Sequence, residues 1–223
     1  MRTPLGTAKL RQVYGHIAKR YDLQHALITA WADQRGRRLL VERAVKAGDN
    51  VLDCGAGTGS TGIMAARKVG PNGQVTLFDL SDAMLTVARQ KVARARLQDR
   101  VDFQTGDMVR LPFDDNTFDV VLSTYSLCPL YDPVKGALEL YRVTRVGGLV
   151  GVCHSTDPGN PVMRYLSGKV EDIAWHFPWL SMGCRSVEVL PALEDAGARV
   201  LFSRRIGVAL WPFRAFVVEK PAA

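Results

Sequence analysis

The chain has 223 residues, 47% of them hydrophobic, which favours one domain with a sizeable core. No apolar run reaches the ~18–20 residues that a membrane-spanning helix needs, and the first twenty residues contain no apolar signal core, so we expect a cytoplasmic protein. The four cysteines form no Cys-x-x-Cys pair, which argues against a bound metal and against a disulfide framework.

The formal net charge of +7 lies in the N-terminal segment, because residues 1–46 contain ten Lys/Arg and only three acidic residues. Such a segment is either a solvated helix face or a surface for an anionic membrane, an anionic substrate or nucleic acid. Few aromatic residues are interleaved with these charges, which ranks nucleic acid last. We therefore expect no nucleic-acid partner and, as one alternative, peripheral contact of the basic N-terminal helices with the inner face of the membrane.

Residues 1–47 are predicted to form a helical lid, because apolar residues recur at near-helical spacing. The predicted helices span residues 8–20, 23–31 and 33–45.

From residue 51 onward, short apolar runs alternate with helical patterns, and residues 48–154 form the predicted cofactor-binding core. The predicted strands span residues 51–54, 75–79, 101–104, 118–123 and 149–154. The helices between them are predicted at residues 58–69, 82–96 and 134–143. Such alternation implies right-handed crossovers and a parallel sheet with helices on both faces.

The pattern changes after residue 154. Residues 155–185 are rich in proline, carry a predicted helix at 163–175, and are expected to form an insertion over the substrate side of the sheet. Trp175, Phe177, Trp179, Leu180 and Met182 suit either a lipophilic pocket or a small separate core. In residues 186–223, a helix at 187–196 precedes strands at 199–203 and 209–218, which can pair as an antiparallel hairpin.

Three glycines at alternate positions, Gly55, Gly57 and Gly59, connect the first strand to a helix. A turn of this kind lets the backbone approach a ligand closely. The spacing differs from the dinucleotide fingerprint G-x-G-x-x-G, and Asp53 adds a carboxylate that would repel a pyrophosphate. These residues indicate a nucleoside-type cofactor with a cationic end, with a plain tight turn as the alternative.

Carboxylates follow three successive predicted strands, at Asp53, Asp79 and Asp107, and the carboxyl ends of parallel strands open on one side of a sheet. Asp79 lies about twenty residues past the glycines, the distance at which an acidic residue meets a ribose hydroxyl pair. Asp107 could accept from the exocyclic amine of adenine, and Asp53 could hold a cationic amino-acid tail. Any one of them alone could be a helix cap or a turn residue.

The segment Val-Leu-Asp-Cys-Gly-Ala-Gly-Thr-Gly at 51–59 resembles the first motif of the class I S-adenosylmethionine-dependent methyltransferases. Residues 78–85, 106–107 and 118–121 are similar to further motifs of that superfamily. The resemblance implies an α/β fold with a doubly wound, mostly parallel seven-stranded sheet whose last strand is antiparallel, and S-adenosyl-L-methionine as the cofactor. The cofactor-binding residues that it implies are Tyr21, Asp53, Gly55, Ala56, Gly57, Gly59, Asp79, Leu80, Met84, Gly106, Asp107, Met108, Ser123 and Tyr125.

Within that superfamily, residues 16–22 and 35–38 are similar to the leading helices of the ubiquinone/menaquinone-biosynthesis C-methyltransferases. Residues 126–129 and His154 depart from that group and look more like phospholipid N-methyltransferases and small-thiol methyltransferases. The resemblance implies methyl transfer to a lipophilic small molecule of quinone type, with a phospholipid, amine or thiol acceptor as the alternative. A non-catalytic cofactor-binding subunit and a nicotinamide-dependent dehydrogenase are hypotheses of other classes.

A carbon acceptor must lose a proton, so a nearby base is expected. His154, at the end of a predicted strand, is the first candidate, and Tyr125 with Ser123 is expected to line the methyl site. The alternatives are an ordinary core histidine and ordinary loop residues. His16 and His25 are expected on the surface, and Cys128 is expected to be buried.

Overall fold

One sheet of seven strands organises the chain, and the computed structural model describes residues 4–28, 32–176, 183–208 and 211–222. The strands are β1 (Asn50–Cys54), β2 (Gln74–Asp79), β3 (Val101–Thr105), β4 (Phe118–Thr124), β5 (Thr144–Ser155), β6 (Arg199–Val208) and β7 (Trp211–Glu219). The helices are α1 (Thr7–Ile17), α2 (Tyr21–Ile28), α3 (Ala32–Ala44), α4 (Ser60–Val69), α5 (Asp82–Arg94), α6 (Pro133–Val143), α7 (Pro161–Trp175) and α8 (Leu190–Asp195), with a 3-10 turn at Gln98–Arg100.

The strand order is β3-β2-β1-β4-β5-β7-β6. Strands β1 to β5 pair in parallel, whereas β7 is antiparallel to both of its neighbours, β5 and β6. The predicted seven-stranded sheet with an antiparallel last strand is therefore confirmed, as is the terminal hairpin.

Helices cover both faces of the sheet, as the alternating pattern predicts. On one face, buried residues of α3, α4 and α5, such as Leu40, Ala66 and Leu85, form a core with inward residues of the strands. On the other face, Leu140 of α6 and Leu193 of α8 pack in a second core that includes Phe216 of β7. Adjacent residues of β1 supply opposite faces, Val51 the first core and Leu52 the second, which is the two-residue period of a strand.

The element boundaries differ from the predicted ones at several places, of which β5 is one, since it begins at Thr144 rather than at 149. The predicted helix 8–20 ends at Ile17, and Arg20 N–H closes a tight turn onto the Ile17 carbonyl before α2 begins. Helix α8 begins at Leu190 rather than at 187: the first helical bond runs from Leu193 N–H to the carbonyl of Val189, and Val187 N–H donates to the carbonyl of Ser155. Strand β6 continues to Val208 because it pairs with β7 along its length.

Two of the predicted elements reach beyond the described residues. The last three residues of the predicted helix 23–31 and the first two of the predicted strand 209–218 lie outside them. The same holds for Phe177, Trp179, Leu180 and Met182 of the predicted aromatic cluster. In the part of the chain that the structure describes, no helix is both long enough and apolar enough to cross a bilayer.

Candidate functional site

The glycine-rich turn after β1 lies at the carboxyl edge of the sheet. Gly55, Gly57 and Gly59 all have positive φ values, of 73°, 56° and 79°, which favour glycine. A Cβ atom on Gly55 would lie 2.2 Å from the Cβ of Ser126, so the turn also leaves no room for a side chain there. The sequence therefore keeps the backbone of this turn bare, as close approach to a ligand requires.

The carboxylate of Asp79, at the end of β2, braces this turn. Its Oδ2 accepts from Gly57 N–H at 2.7 Å, and its Oδ1 accepts from Ser81 N–H at 2.8 Å. Burial raises the pKa of Asp79 above its ordinary value, although these backbone hydrogen bonds oppose the shift. Each oxygen keeps a second lone pair, so the side chain can still accept from a ligand hydroxyl.

Asp107 follows β3 on the same edge. Its Oδ1 accepts from Val109 N–H at 3.1 Å, and its Oδ2 accepts from the hydroxyl of Tyr131 at 3.2 Å. The preceding Gly106 lies against the ring of Phe78, where a Cβ atom would come within 2.5 Å of Cζ. A second strand end thus presents a carboxylate beside bare backbone.

These strand ends open into one cleft. Ten of the predicted cofactor-binding residues line it: Tyr21, Gly55, Gly57, Asp79, Leu80, Met84, Gly106, Asp107, Met108 and Tyr125. The lining also contains residues that were not predicted to bind the cofactor: Thr7, Leu10, Tyr14, Phe78, Thr124, Ser126, Pro129, Leu130 and Tyr131. Of these, Ser126 and Pro129 belong to the segment 126–129, whose sequence bears on the acceptor, whereas Thr7, Leu10, Tyr14, Leu130 and Tyr131 were missed. Three of the missed residues, Thr7, Leu10 and Tyr14, recur at helical spacing on α1, and that periodicity is a signal for one inward face.

Four predicted cofactor-binding residues, Asp53, Ala56, Gly59 and Ser123, are not in the lining of this cleft. Asp53 is fully buried beneath the turn, and its Oδ2 accepts from Gly62 N–H of α4 at 2.7 Å. Burial raises the pKa of Asp53 to about 7, against the opposing effect of the nearby Arg37 cation. The direct contact of Asp53 with a cationic ligand stays a prediction.

His154 is also outside the lining of the cleft. It is fully buried, and its Nδ1 donates to the carbonyl of Ser155 at 2.8 Å, so Nε2 carries the lone pair. Burial lowers the pKa of His154, which keeps the ring neutral near pH 7. Its catalytic role stays a prediction.

Tyr125 occupies the wall of the cleft just after β4. Its φ of 60° lies in the left-handed region, which is rare for a bulky residue and frequent at functional sites. Its hydroxyl donates to the carbonyl of Asp33 at 3.3 Å, and its ring meets that of Phe213 edge-on. Contacts from α3 and β7 therefore hold this side chain in place.

His25 is buried, so the prediction that it lies on the surface is wrong. Its ring stacks on Tyr21 with centroids 5.3 Å apart, and its Nδ1 lies 3.2 Å from Asp33 Oδ2. The sequence pattern missed this burial because the contact joins two helices, α2 and α3. His16, in contrast, is exposed as predicted, and Cys128 is buried as predicted.

A buried cation was also missed. Arg37 of α3 donates from Nη1 to Thr61 Oγ1 at 2.9 Å and to Thr124 Oγ1 at 2.8 Å. Thr124 lines the cleft, so this guanidinium connects the N-terminal helices to the cleft wall.

Lys91 of α5 makes a second connection between the N-terminal helices and the core. Its Nζ lies 2.8 Å from Asp22 Oδ2 of α2.

Among the described residues, no three His, Cys, Asp or Glu side chains are placed to hold a metal ion.

Comparison with solved structures places this fold among known proteins. The chain superposes on the [4+2]-cyclase SpnF with a TM-score of 0.68 at 21% identity, covering 85% of this chain and 81% of that one. It superposes on a SAM-dependent methyltransferase from Aquifex aeolicus with a TM-score of 0.58 at 24% identity, covering 82% and 89%. These likenesses define the methyltransferase-type α/β fold, and a fold of this kind does not by itself determine the reaction.

Sequence comparison is more specific. Residues 2–168 match the profile of the ubiE/COQ5 methyltransferase family, and the chain belongs to that family. It is 32% identical over 156 residues to a demethylmenaquinone methyltransferase of Lactobacillus johnsonii, a match that covers 70% of this chain and 64% of the relative. The chain thus spans less than two thirds of the length of such curated relatives.

Proposed function

We propose that this chain transfers a methyl group from S-adenosyl-L-methionine to a lipophilic small molecule of quinone type. The observation that carries the proposal is the convergence of the bare glycine turn, Asp79 and Asp107 in one cleft of a chain that belongs to the ubiE/COQ5 methyltransferase family. The name of the Lactobacillus johnsonii relative, a demethylmenaquinone methyltransferase, supports the choice of a quinone-type acceptor.

The residues of the cleft fit this cofactor. Asp79 would accept from the ribose hydroxyls, and Asp107 would accept from the adenine amine, since ionised carboxylates are strong acceptors. Met84 and Met108 are almost fully buried beside them and offer apolar, adaptable surface to the adenine ring. Gly55 and Gly106 keep the backbone bare where it packs against Ser126 and Phe78, since a Cβ atom has no room at either position. Asp53 has a pKa of about 7 in the folded chain, and a cationic ligand end nearby would favour its ionised form beneath the turn.

When bound, the cofactor supplies an electrophilic methyl group on a sulfonium. The chain contributes alignment and exclusion of water, because such a displacement depends on holding two reactants in line. The rings of Tyr14, Tyr21 and Tyr125 form an aromatic wall for this purpose. Burial raises the pKa of Tyr125 well above its ordinary value, so its hydroxyl stays protonated near neutral pH and can donate a hydrogen bond.

The proton that a carbon acceptor loses needs a recipient. His154 remains the proposed base, because its ring is neutral and its Nε2 carries a lone pair. Other acceptors must lose their proton before the methyl transfer: an amine acceptor must be neutral, and a thiol acceptor must be a thiolate. The identity of the base therefore depends on the acceptor and is tested with it.

We further propose a cytoplasmic protein whose basic N-terminal helices contact the inner face of the membrane. Exposed cations such as Arg35 and Arg38 of α3 support this, because each basic residue near an anionic bilayer contributes roughly 1 kcal/mol.

Two measurements test the proposal in sequence. Calorimetry with S-adenosyl-L-methionine and with NAD compares the two cofactor classes, and we expect binding of the first only. Incubation with methyl-labelled cofactor and demethyl-quinols, phosphatidylethanolamine or small thiols then identifies the acceptor. Binding of NAD alone would overturn the cofactor assignment. Tight S-adenosyl-L-methionine binding without transfer to any acceptor, including those of a cell extract, would favour a regulatory subunit instead.

A further inference from the structure

Helix α7 shows its apolar residues to the solvent. Val162, Tyr165, Leu166, Val170 and Ile173 are exposed by 63, 66, 44, 39 and 66%. Of the α7 side chains that the structure describes, the two buried ones are polar, since Ser167 is 4% and Glu171 is 7% exposed. The orientation is the reverse of that expected for a helix on the surface of a globular protein, where the apolar stripe faces the core.

The exposed residues form one continuous surface. Val162, Leu166, Val170 and Ile173 follow one another at spacings of four, four and three residues, so they lie along one side of the helix, with Tyr165 beside them. We call these five residues the α7 stripe. Contiguous apolar patches on the surface of a soluble protein often mark a contact surface.

We propose that the α7 stripe docks on an anionic phospholipid bilayer, with the helix lying in the plane of the membrane surface. Interfacial helices of this type combine a buried apolar face with basic residues at the headgroups. Lys169 lies beside the α7 stripe, one helical turn after Tyr165, with its Nζ 5.6 Å from the centroid of the Tyr165 ring, and Arg164 is exposed on the same helix. The N-terminal segment adds the whole net charge of +7.

Lys169 distinguishes a bilayer from a second copy of the chain. Against a bilayer, a lysine can extend its apolar stem along the surface and place its ammonium among the phosphates. In a two-fold dimer, the same patch meets itself, which would bring two Lys169 side chains into or beside one apolar contact. Their burial and mutual repulsion oppose that arrangement.

The position of α7 gives this contact a purpose, which rests on the proposed function. Strand β5 ends at Ser155 and α7 begins at Pro161, so the helix starts at the carboxyl edge where the cleft opens. In the segment after α7, Arg185 donates from Nη2 to the carbonyl of Leu130, a residue of the cleft wall, at 3.0 Å. A membrane-bound α7 would place the cleft near the bilayer from which a lipophilic acceptor must come.

Sedimentation with vesicles tests the docking surface. The full chain is mixed with phosphatidylcholine vesicles prepared with and without phosphatidylglycerol, at low and at high salt. One double variant carries Leu166→Glu and Ile173→Glu. The matched control carries Leu138→Glu and Val146→Glu, which place the same charges at exposed apolar positions of α6 and of the opposite end of β5. Circular dichroism melting checks that both variants fold.

We expect the wild type and the control to sediment with the anionic vesicles, and the α7 variant to partition at least about tenfold less. Part of the wild-type binding persists at high salt, because apolar insertion is not screened. Equal partitioning of the α7 variant and the wild type would overturn the proposal. So would binding that salt abolishes completely, which would assign the contact to the basic N-terminal helices.

A dimer that the α7 variant loses, without vesicle binding, would assign the stripe to a second copy and would also overturn the proposal. Calorimetry with S-adenosyl-L-methionine keeps the two proposals separate. We expect wild-type cofactor affinity in the α7 variant, because the stripe lies outside the cleft lining. Absence of cofactor binding in the wild type would contradict the proposed function while leaving the vesicle result intact.

Discussion

Arg37 Nη1 lies 2.8 Å from Thr124 Oγ1, so a cation of the N-terminal helices is buried against the wall of the cleft. The same guanidinium lies near two carboxylates, with Nε 3.7 Å from Asp33 Oδ2 and its charge opposing the raised pKa of Asp53. It also lies 5.2 Å from the centroid of the Tyr125 ring. The N-terminal helices are therefore attached to the core through a buried, largely paired charge.

Replacing Arg37 by Met should destabilise the protein by about 3–5 kcal/mol, because breaking a buried pair leaves carboxylates without their counter-charge. Urea unfolding of the apo protein measures this. The control is Arg38→Met on the exposed side of the same helix, where a change within about 0.5 kcal/mol is expected. If both variants lose the same free energy of unfolding, the burial of Arg37 against the core contributes no more to stability than an exposed arginine does.

The glycine turn and the aspartates at the ends of β2 and β3 could be predicted because each is a local pattern. The burial of Arg37 could not be read from composition, which counts it with nine other basic residues of the segment. Its helical phase does contain the signal. Asp33, Gly36, Arg37, Leu40, Val41 and Ala44 form one buried stripe at spacings of three, one, three, one and three.

Other features depended on packing that no local pattern specifies. His25 is buried by the approach of α2 to α3, and strand β6 is extended by its partner β7. The exposed apolar residues of α7 have the periodicity of a core-facing helix. The sequence therefore predicts the helix, but it does not predict that these residues face the solvent.

Asp53 should give the stability of the protein a distinctive pH dependence. Its pKa in the folded state is about 7, above the ordinary value of 3.8, so folding favours the protonated form. Its contribution to stability is complete below about pH 4 and is lost as the pH rises through about 7, by up to about 4 kcal/mol. In Asp53→Asn, which keeps an acceptor for Gly62 N–H, this loss should be absent.

Urea unfolding of the wild type and Asp53→Asn at several pH values between about 4 and 8 measures the difference. We expect the variant to gain stability relative to the wild type as the pH rises. A difference that does not change with pH would mean that Asp53 titrates alike in the folded and unfolded chains.

Asp79 should determine much of the cofactor affinity. Replacing it by Ala removes an acceptor for the ribose hydroxyls and the brace on Gly57, and should weaken S-adenosyl-L-methionine binding by on the order of 1–3 kcal/mol. Asp102→Ala, on the exposed side of β3, is the control and should bind as the wild type does. Unchanged affinity in Asp79→Ala would remove this role from Asp79.

Tyr125 should act as a positioned wall and donor rather than as the base. In Tyr125→Phe the ring contacts with Phe213 and His25 can persist, whereas the hydroxyl bonds to the Asp33 carbonyl and to Cys153 are lost. We therefore expect kcat to fall by less than about tenfold, whereas loss of a general base costs roughly 10²–10⁴. Single-turnover transfer to the acceptor identified in the panel measures this.

The pH profile of the same assay separates Tyr125 from His154. If His154 takes the proton, the rate should fall at acidic pH as the His154 ring becomes protonated, and the lowered pKa of His154 places this fall below the ordinary pKa of histidine. His154→Gln should then lower kcat by roughly 10² or more and remove this acidic limb of the profile. Tyr125→Phe should keep the limb, since its phenol stays protonated throughout. If His154→Gln keeps the acidic limb and loses only folding stability, His154 is a buried structural residue and not the base.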